Sequence, residues 1–341
     1  TGDGGIVTNS PLFTLAIETT DDNDHAIVME RKSFTNVMSG DLGVVLEENY
    51  KNSENDEKQN KVYNSLKSVT DEQTLLTAEK ELTGDSLVNN QTYQLYNQDK
   101  IISNGIDKLM DRRTEGVDNG IYVNFLGNKT NAKTENEFSG YDSKSAGVVL
   151  GSMKKIGDST SVGGFLGYLD TNADYTDNDN KQNLQTWSLT GAVNKELTDE
   201  LVWKNRVNYN YGANKSEREI TFDNSNRTVK GDFNSWSAGA ATELEYNKKI
   251  NDIVTLRPTA GIAIDYLSQE GYTEKGADEL NLRVDSNNST STRIGTGIRA
   301  DVTAYKGKNS ALIVTPRADY SYELGNPYGG RNIQMAAFEE S

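Results

Sequence analysis

From Gly120 onward, apolar and polar residues alternate with a period of two, the signature of strands with one greasy and one wet face. Trp236, Ala238, Ala240, Thr242, Leu244 and Tyr246 fall on one side of their segment, and Ser235, Ser237, Gly239, Ala241, Glu243 and Glu245 on the other. Val254, Leu256, Pro258, Ala260, Ile262, Ile264 and Tyr266 likewise oppose Thr255, Arg257, Thr259, Gly261, Ala263 and Asp265. Ile294, Ile298 and Val302 oppose Arg293, Arg299 and Asp301, and Val314, Tyr320 and Tyr322 oppose Arg317 and Asp319. Earlier, Leu201, Trp203, Val207 and Tyr209 alternate with Lys204 and Arg206.

Each segment keeps this pattern for about ten residues or more, the length of a tilted membrane-spanning strand, against about five or six in an ordinary sheet. Aromatic residues sit near segment ends on the apolar face: Trp203, Tyr211, Trp236, Tyr246, Tyr266, Tyr320 and Tyr322. That placement predicts girdles at the two membrane–water boundaries. The opposite face carries Lys204, Arg206, Glu243, Glu245, Arg257, Asp265, Arg293, Arg299 and Arg317, charges that a polar lumen can solvate. The fold predicted is an all-β membrane protein, an antiparallel up-and-down transmembrane barrel. A soluble sandwich with one wet face is the alternative, and its strands are generally shorter.

Connections add a rhythm. Polar stretches to Ser143, from Asp170 to Gln182, from Ala213 to Asn234 and from Ser268 to Ser291 read as long loops. Between them Lys155–Ser159, Glu196–Glu200, Lys248–Asp252 and Lys306–Ser310 read as short turns. Long and short turns alternate when one rim faces the cell exterior and the other the periplasm.

Before the strands the period changes. In residues 56–115, Val62, Leu66 and Val69, then Leu75, Leu76 and Leu82, recur at helical spacing. Thr70 with Gln73 reads as an N-cap and its capping-box partner. Thr83-Gly84-Asp85-Ser86 is a break, and a second helix is expected from Ser86 to Arg113, carrying Tyr93, Tyr96, Ile101, Ile102, Ile106 and Leu109. Residues 1–55 show short β-like runs at Leu12–Ile17, Ala26–Met29 and Gly43–Leu46, with a turn at Thr19-Thr20-Asp21-Asp22-Asn23-Asp24.

Composition narrows the function. Only 34% of the 341 residues are hydrophobic, mean hydropathy is −0.71, and no run approaches the roughly 18 apolar residues of a membrane helix. Averaged hydropathy misses barrels, because their faces cancel. A net charge of −16 repels phosphates and argues against nucleic-acid binding. With no Cys, disulfides and thiolate metal sites are excluded. No charged segment followed by an apolar one opens the chain, so an exported protein would be a piece of something longer.

A β remnant, a helical linker and a barrel entered by an outward strand together resemble the C-terminal translocator of a monomeric autotransporter (type V secretion). The resemblance runs over about residues 60–341. It is carried by the Leu75–Arg113 helices leading into Gly120-Ile121-Tyr122-Val123-Asn124-Phe125, by Ser139-Gly140-Tyr141-Asp142, by Gly147-Val148-Val149-Leu150-Gly151 and by Gly163-Gly164-Phe165-Leu166-Gly167-Tyr168. It implies the end of a passenger at 1–55, similar to the last rungs of a β-helix, a linker at 56–117 and the barrel at 118–341. It also implies a second helix that threads the pore. The implied partners are the chain's own passenger, the outer-membrane barrel assembly machinery and outer-membrane lipid, around a monomeric barrel with the passenger at the cell surface. Family barrels have about twelve strands, even-numbered as usual. This sequence supplies nine alternating segments and the start of a tenth, Asn332 to Phe338, and ends Glu339-Glu340-Ser341 rather than on an aromatic residue. About two strands are therefore expected beyond it.

Candidate chemistry is sparse. His25 is the lone His, so a His-based triad or zinc site in the barrel is excluded. Asp174, Asp177 and Asp179 lack the spacing of a calcium loop. Gly163-Gly164-Phe165-Leu166-Gly167 precedes no helix that could cradle phosphate. No cofactor is expected, and the domain reads as a transporter rather than an enzyme. One exception is self-cleavage at Asn89-Asn90 by attack of an Asn side chain on its own carbonyl, aided by luminal Glu243 or Glu245. The competing function is a porin-like or adhesive barrel that binds host ligands through its loops.

Overall fold

The computed structural model describes residues 8, 10–19, 25–51, 53–110, 120–135, 139–176, 179–223, 225–307 and 311–338. In chain order it opens with a hairpin, β1 (Phe13–Thr19) and β2 (His25–Arg31). Helices follow: α1 (Phe34–Val37), α2 (Gly40–Tyr50), α3 (Glu57–Leu66), α4 (Glu72–Thr83) and α5 (Asp85–Met110). Then come long strands β3 (Tyr122–Ala132), β4 (Tyr141–Ile156), β5 (Thr160–Tyr175), β6 (Lys181–Glu196), β7 (Leu201–Ile220), β8 (Arg227–Tyr246) and β9 (Val254–Gln269). Two short strands, β10 (Tyr272–Thr273) and β11 (Leu282–Val284), interrupt the next connection before β12 (Asn287–Lys306). The last wall strand is split into β13 (Ala311–Val314) and β14 (Arg317–Glu323), and β15 (Ile333–Met335) is the last strand.

The long strands pair antiparallel with their sequence neighbours, from β3 at one edge to β13 and β14 on β12 at the other. The split around Thr315-Pro316 follows from proline, which has no N–H to give a ladder. Burial alternates residue by residue, so along β7 Lys204, Asn208 and Asn210 are buried while Val207, Tyr209 and Tyr211 are exposed. The outward face is apolar and bare: Phe125 is 83% exposed, Val207 62% and Leu189 59%. Such a continuous apolar belt on a wall of paired strands belongs against lipid.

The aromatics expected to form girdles lie on this outward face. Tyr168, Trp187 and Tyr211 form a row, with ring centroids 5.4 and 6.3 Å apart, and Tyr209, Trp236 and Tyr266 continue it at 6.3 and 5.4 Å. Trp203 donates to Thr242 at 2.7 Å and Tyr246 to Glu200 at 2.5 Å, close to the short-turn rim. From Trp236 to Tyr246, a rise of about 3.3 Å per residue and a tilt of about 40° give about 25 Å of height, the thickness of the apolar band.

Loop lengths differ from the sequence expectation. The stretches expected as long loops are mostly strand: β5 runs to Tyr175 and β6 starts at Lys181, while β7 runs to Ile220 and β8 starts at Arg227. β7 and β8 are 20 residues each, about twice a membrane crossing. The long–short asymmetry is therefore real in height rather than in loop length. On one side the walls stand well clear of the lipid, with Lys215, Glu217, Thr228 and Asp232 turned outward.

Three other expectations are corrected. Gly43–Leu46 is helix, not strand: Leu42, Leu46 and Tyr50 recur every fourth residue, and Gly43 sits where a Cβ would come within 2.9 Å of the Phe34 carbonyl. The N-cap of α4 is Asp71, whose carboxylate accepts from the Thr74 N–H at 2.9 Å, not Thr70. The tenth wall strand expected at Asn332–Phe338 is instead β15 and a 3₁₀ turn, with β15 paired to β11. The break expected at Thr83–Ser86 is present: Gly84 takes φ +62°, the left-handed conformation that ends α4 and that glycine adopts without penalty. β1 and β2 are antiparallel, unlike the parallel stacking of β-helix rungs. The turn Thr20–Asp24, the helix end at Asp111–Arg113, Asp177, and the terminal Glu339–Ser341 lie outside the described residues.

The helices before α5 form a cap on the tall rim. One apolar cluster joins Phe34, Leu46, Val62, Tyr63, Leu66 and Leu82 to Ile220, Phe222, Val229, Phe233, Tyr272 and Leu282 of the wall and its loops. Within the cap, Arg31 grips Glu47 in a two-pronged pair at 2.8 and 2.9 Å and lies 4.1 Å over the Tyr50 ring. Glu47 also accepts from the Phe34 N–H at 2.8 Å. The Arg31 hydrogen bond, with help from that N–H, holds the Glu47 carboxyl down at about 2.

Two polar contacts fasten the cap to the wall. Glu81 of α4 accepts from the N–H groups of Thr221 and Phe222 at 2.7 and 3.0 Å and from the Thr221 hydroxyl at 2.7 Å, clasping the β7–β8 turn. Arg218 of β7 pairs with Glu274 at 2.5 Å, both side chains 1% exposed. The same guanidinium donates to the carbonyls of Glu81 and Leu280, while Glu274 accepts from the Leu282 N–H at 2.9 Å.

Because Glu47 titrates lower folded than unfolded, its stabilisation is present above about 4.5 and is lost as pH falls towards about 2. Glu47→Gln should remove that acid-side loss and lower cap stability at neutral pH, read as protease resistance of the cap against pH. Arg218→Ala should leave Glu274 buried without its partner and cost about 3–5 kcal/mol. The double replacement Arg218→Met, Glu274→Leu should cost far less, which hydrogen exchange of residues 270–286 would detect.

Candidate functional site

The site is the lumen, and α5 fills much of it. The helix meets inward side chains from β3 to β12, so the wall curls around it. Its lower half is apolar on one side: Ile102, Ile106, Leu109 and Met110 pack with Val149, Phe165, Leu169 and Ala192, and Ile101 packs at the margin with Tyr122, Leu126 and Met153. Glycines let the two surfaces close. A Cβ on Gly105 would lie 2.5 Å from Leu126, and one on Gly167 would lie 3.1 Å from Ile102. Asn124 also donates to the Gly105 carbonyl at 3.2 Å.

Its upper half is polar yet buried, and several of its side chains bond to the wall. Asn90 donates to the carbonyls of Ser86 and Ser139 at 2.8 and 3.1 Å. Gln91 donates to the Tyr272 hydroxyl and accepts from Gln269, both at 2.7 Å. Tyr96 meets the Ser289 hydroxyl at 3.0 Å, Thr186 donates to Gln98 at 2.5 Å, and Ser237 donates to Asp99 at 2.5 Å. A buried amide or hydroxyl left unpaired costs about 1–3 kcal/mol, so these bonds define one position for the helix.

Of the pore-helix residues expected from sequence, Tyr96, Ile102, Ile106 and Leu109 are buried and Ile101 is half-buried. Tyr93 is 41% exposed and packs beside Tyr328, 5.5 Å between ring centroids.

The charged wall residues come together across β7, β8, β9 and β12. Lys204 pairs with Glu245 at 2.5 Å, and Arg299 bridges Glu243 and Glu245 at 3.1 Å each. Arg257 reaches Asp301 at 2.9 Å and Glu245 at 3.6 Å, and Arg293 pairs with Asp265. Arg206 reaches the helix, at Asp107 and 3.1 Å. Arg317 pairs with Asp319 on its own strand. Between this wall and the polar face of α5 (Lys100, Ser103, Asn104) lies a cavity of about 360 Å³.

Sequence reasoning missed Arg331, which donates to Gln91 at 2.9 Å and Thr92 at 3.2 Å and also contacts Gln269. It missed Arg218 and Glu274 as well. The unbroken alternation of Asn214, Ser216, Arg218 and Ile220 beyond Tyr211 was the signal available. The acids offered to assist Asn89-Asn90 are elsewhere: Glu243 and Glu245 bind Lys204 and Arg299, while Asn90 is held by backbone carbonyls within an intact helix. Among the described residues no cluster of His, Asp and Glu could hold a metal ion.

Comparison with known proteins gives a concordant answer. The family model described as autotransporter beta-domain matches residues 121–340. Two proteins of Serratia marcescens, each named extracellular serine protease, are 23% and 22% identical over 77% of this chain. The match covers 26% of their length, so the chain spans about a quarter of these relatives. The translocator domain of the autotransporter NalP from Neisseria meningitidis superposes with a TM-score of 0.59 at 15% identity, covering 72% of this chain and 80% of that one. The curled wall with a helix lying along its lumen agrees with these matches, and the chain belongs to the autotransporter family, with its β-domain at residues 121–340.

Proposed function

We propose that this chain anchors in the bacterial outer membrane and supports export of its own N-terminal passenger, with α5 left in the lumen as plug and tether. The observation that carries the reading is α5 itself. It is buried along its length inside a wall whose outside is apolar, and it joins the barrel to the cap above the tall rim. A barrel of this family is a transporter rather than an enzyme, so the protease named for the Serratia relatives is said of those whole proteins.

On this reading residues 1–55 are the end of the passenger, 56–117 the linker and 118–341 the barrel. The hairpin and α1–α4 rest on the rim once export is complete. The luminal charges Lys204, Glu243, Glu245, Arg257, Asp265, Arg293 and Arg299 keep the tunnel wet, and Arg206 holds the helix through Asp107. Insertion by the outer-membrane barrel assembly machinery and solvation by outer-membrane lipid complete the proposal. A porin-like barrel would need an open lumen, which a seated helix opposes.

In planar bilayers the full protein should conduct weakly, and deletion of residues 86–113 should raise single-channel conductance several-fold. Equal conductance would count against the plug. Gly105→Val should unseat the helix from Leu126 and raise conductance too, with Leu126→Ala in the same chain restoring it.

A further inference from the structure

We propose that α5 is pinned to the wall at its midpoint by a single sodium ion, held between Asp99 and oxygen-bearing side chains of β6, β7 and β8. This inference goes beyond the export reading, because it assigns a monovalent-cation site to the seated helix.

Asp99 stands where the polar upper half of α5 gives way to its apolar lower half, and it is 6% exposed. Its carboxylate accepts from the Ser237 hydroxyl at 2.5 Å, and that hydroxyl accepts from the Asn210 amide at 2.9 Å. The donors run towards Asp99, as they do for an ionised acid, which can only accept. The bases of the surrounding wall are committed elsewhere: Arg293 to Asp265, Arg206 to Asp107 and Lys204 to Glu245. Lys100, next along α5, faces the lower cavity. A buried charge with no counter-charge is costly, so the site calls for a positive partner.

Beside Asp99 lies a void of about 10 Å³, room for one occupant the size of a water molecule. Thr186 of β6, Asn210 of β7 and Ser235 and Ser237 of β8 line it, and all four are buried. Asn210 is 3% exposed, and its side-chain oxygen has no hydrogen-bond partner among the described residues. Gly212 leaves the room, since a Cβ there would crowd the Ser235 hydroxyl. One carboxylate with neutral oxygens is the ligand set of a hard cation. A single negative charge is balanced by a single positive one. A divalent ion would leave the buried site net positive, and magnesium would bring waters that the void cannot hold. Potassium is larger and fits less well. Sodium at this point would tie the helix to three strands at once and add its binding to the seating of α5.

The test uses the full-length protein in phospholipid nanodiscs, with sodium chloride exchanged for choline chloride at constant ionic strength. Amide hydrogen exchange of residues 95–103 is followed by mass spectrometry. Exchange there should slow about tenfold once sodium exceeds its dissociation constant about tenfold. Potassium should protect less at equal concentration. Asp99→Asn should keep the barrel folded, read as heat-modifiable migration on a gel, and lose the sodium dependence. Gly212→Ala should need more sodium for the same protection. Equal exchange in sodium and in choline would overturn the proposal and leave water or a proton beside Asp99 instead. A sodium effect that survives in Asp99→Asn would overturn it as well, as a general effect of salt. Should Asp99→Asn fail to fold, an unchanged sodium midpoint in Gly212→Ala would be the overturning result. None of these measurements involves export, so a negative answer leaves the translocator reading standing.

Discussion

In hydrocarbon a backbone N–H or C=O has no water to turn to, and each unpaired group costs several kcal/mol. Everything else in this molecule follows from that constraint. It dictates a ladder of neighbouring antiparallel strands, since only such a meander pairs every group without long excursions. Two-sided strands then put Phe125, Leu189 and Val207 against lipid and Lys204, Arg206 and Arg299 against water. Once a wet tunnel exists, a helix with buried amides such as Gln91 and Gln98 is stable inside it, because the wall supplies hydrogen bonds that lipid could not.

The wall was legible in the sequence because period-two alternation is a local property that survives without tertiary information. Trp203, Trp236 and Tyr266 stand exposed on the outer face, and Lys204, Glu245, Arg257 and Arg299 are buried on the inner one. Partner choice was not legible, since it depends on strand register and shear. Nothing local says that Lys204 meets Glu245 while Arg206 reaches across to Asp107. The upper walls were misread for a different reason. Outside the membrane the outward face no longer needs to be apolar, so Lys215, Glu217 and Thr228 dissolve the pattern although the ladder continues.

The cap was the least legible part. The adjacent valines Val44 and Val45 suggested a strand, but Leu42, Leu46 and Tyr50 line the buried side of a helix. Tertiary packing against Phe34 and Tyr63 overrides the β preference of two branched residues, as weak propensities generally yield to burial. The α4 cap shows the same competition on a smaller scale. Thr70 and Asp71 are both competent, and the carboxylate one residue later takes the Thr74 N–H.

The cap's attachment has a mechanical consequence. A pull on the outermost hairpin, from shear or from whatever the exposed portion grasps, travels down α4 and meets Glu81 on the β7–β8 turn and Arg218 on β7 before it reaches Gly84 and α5. Tension is thus passed sideways into the stiff strands at the rim. The helix in the bore is spared that strain, and a tugged surface segment would tear loose from its collar before it could uncork the pore beneath.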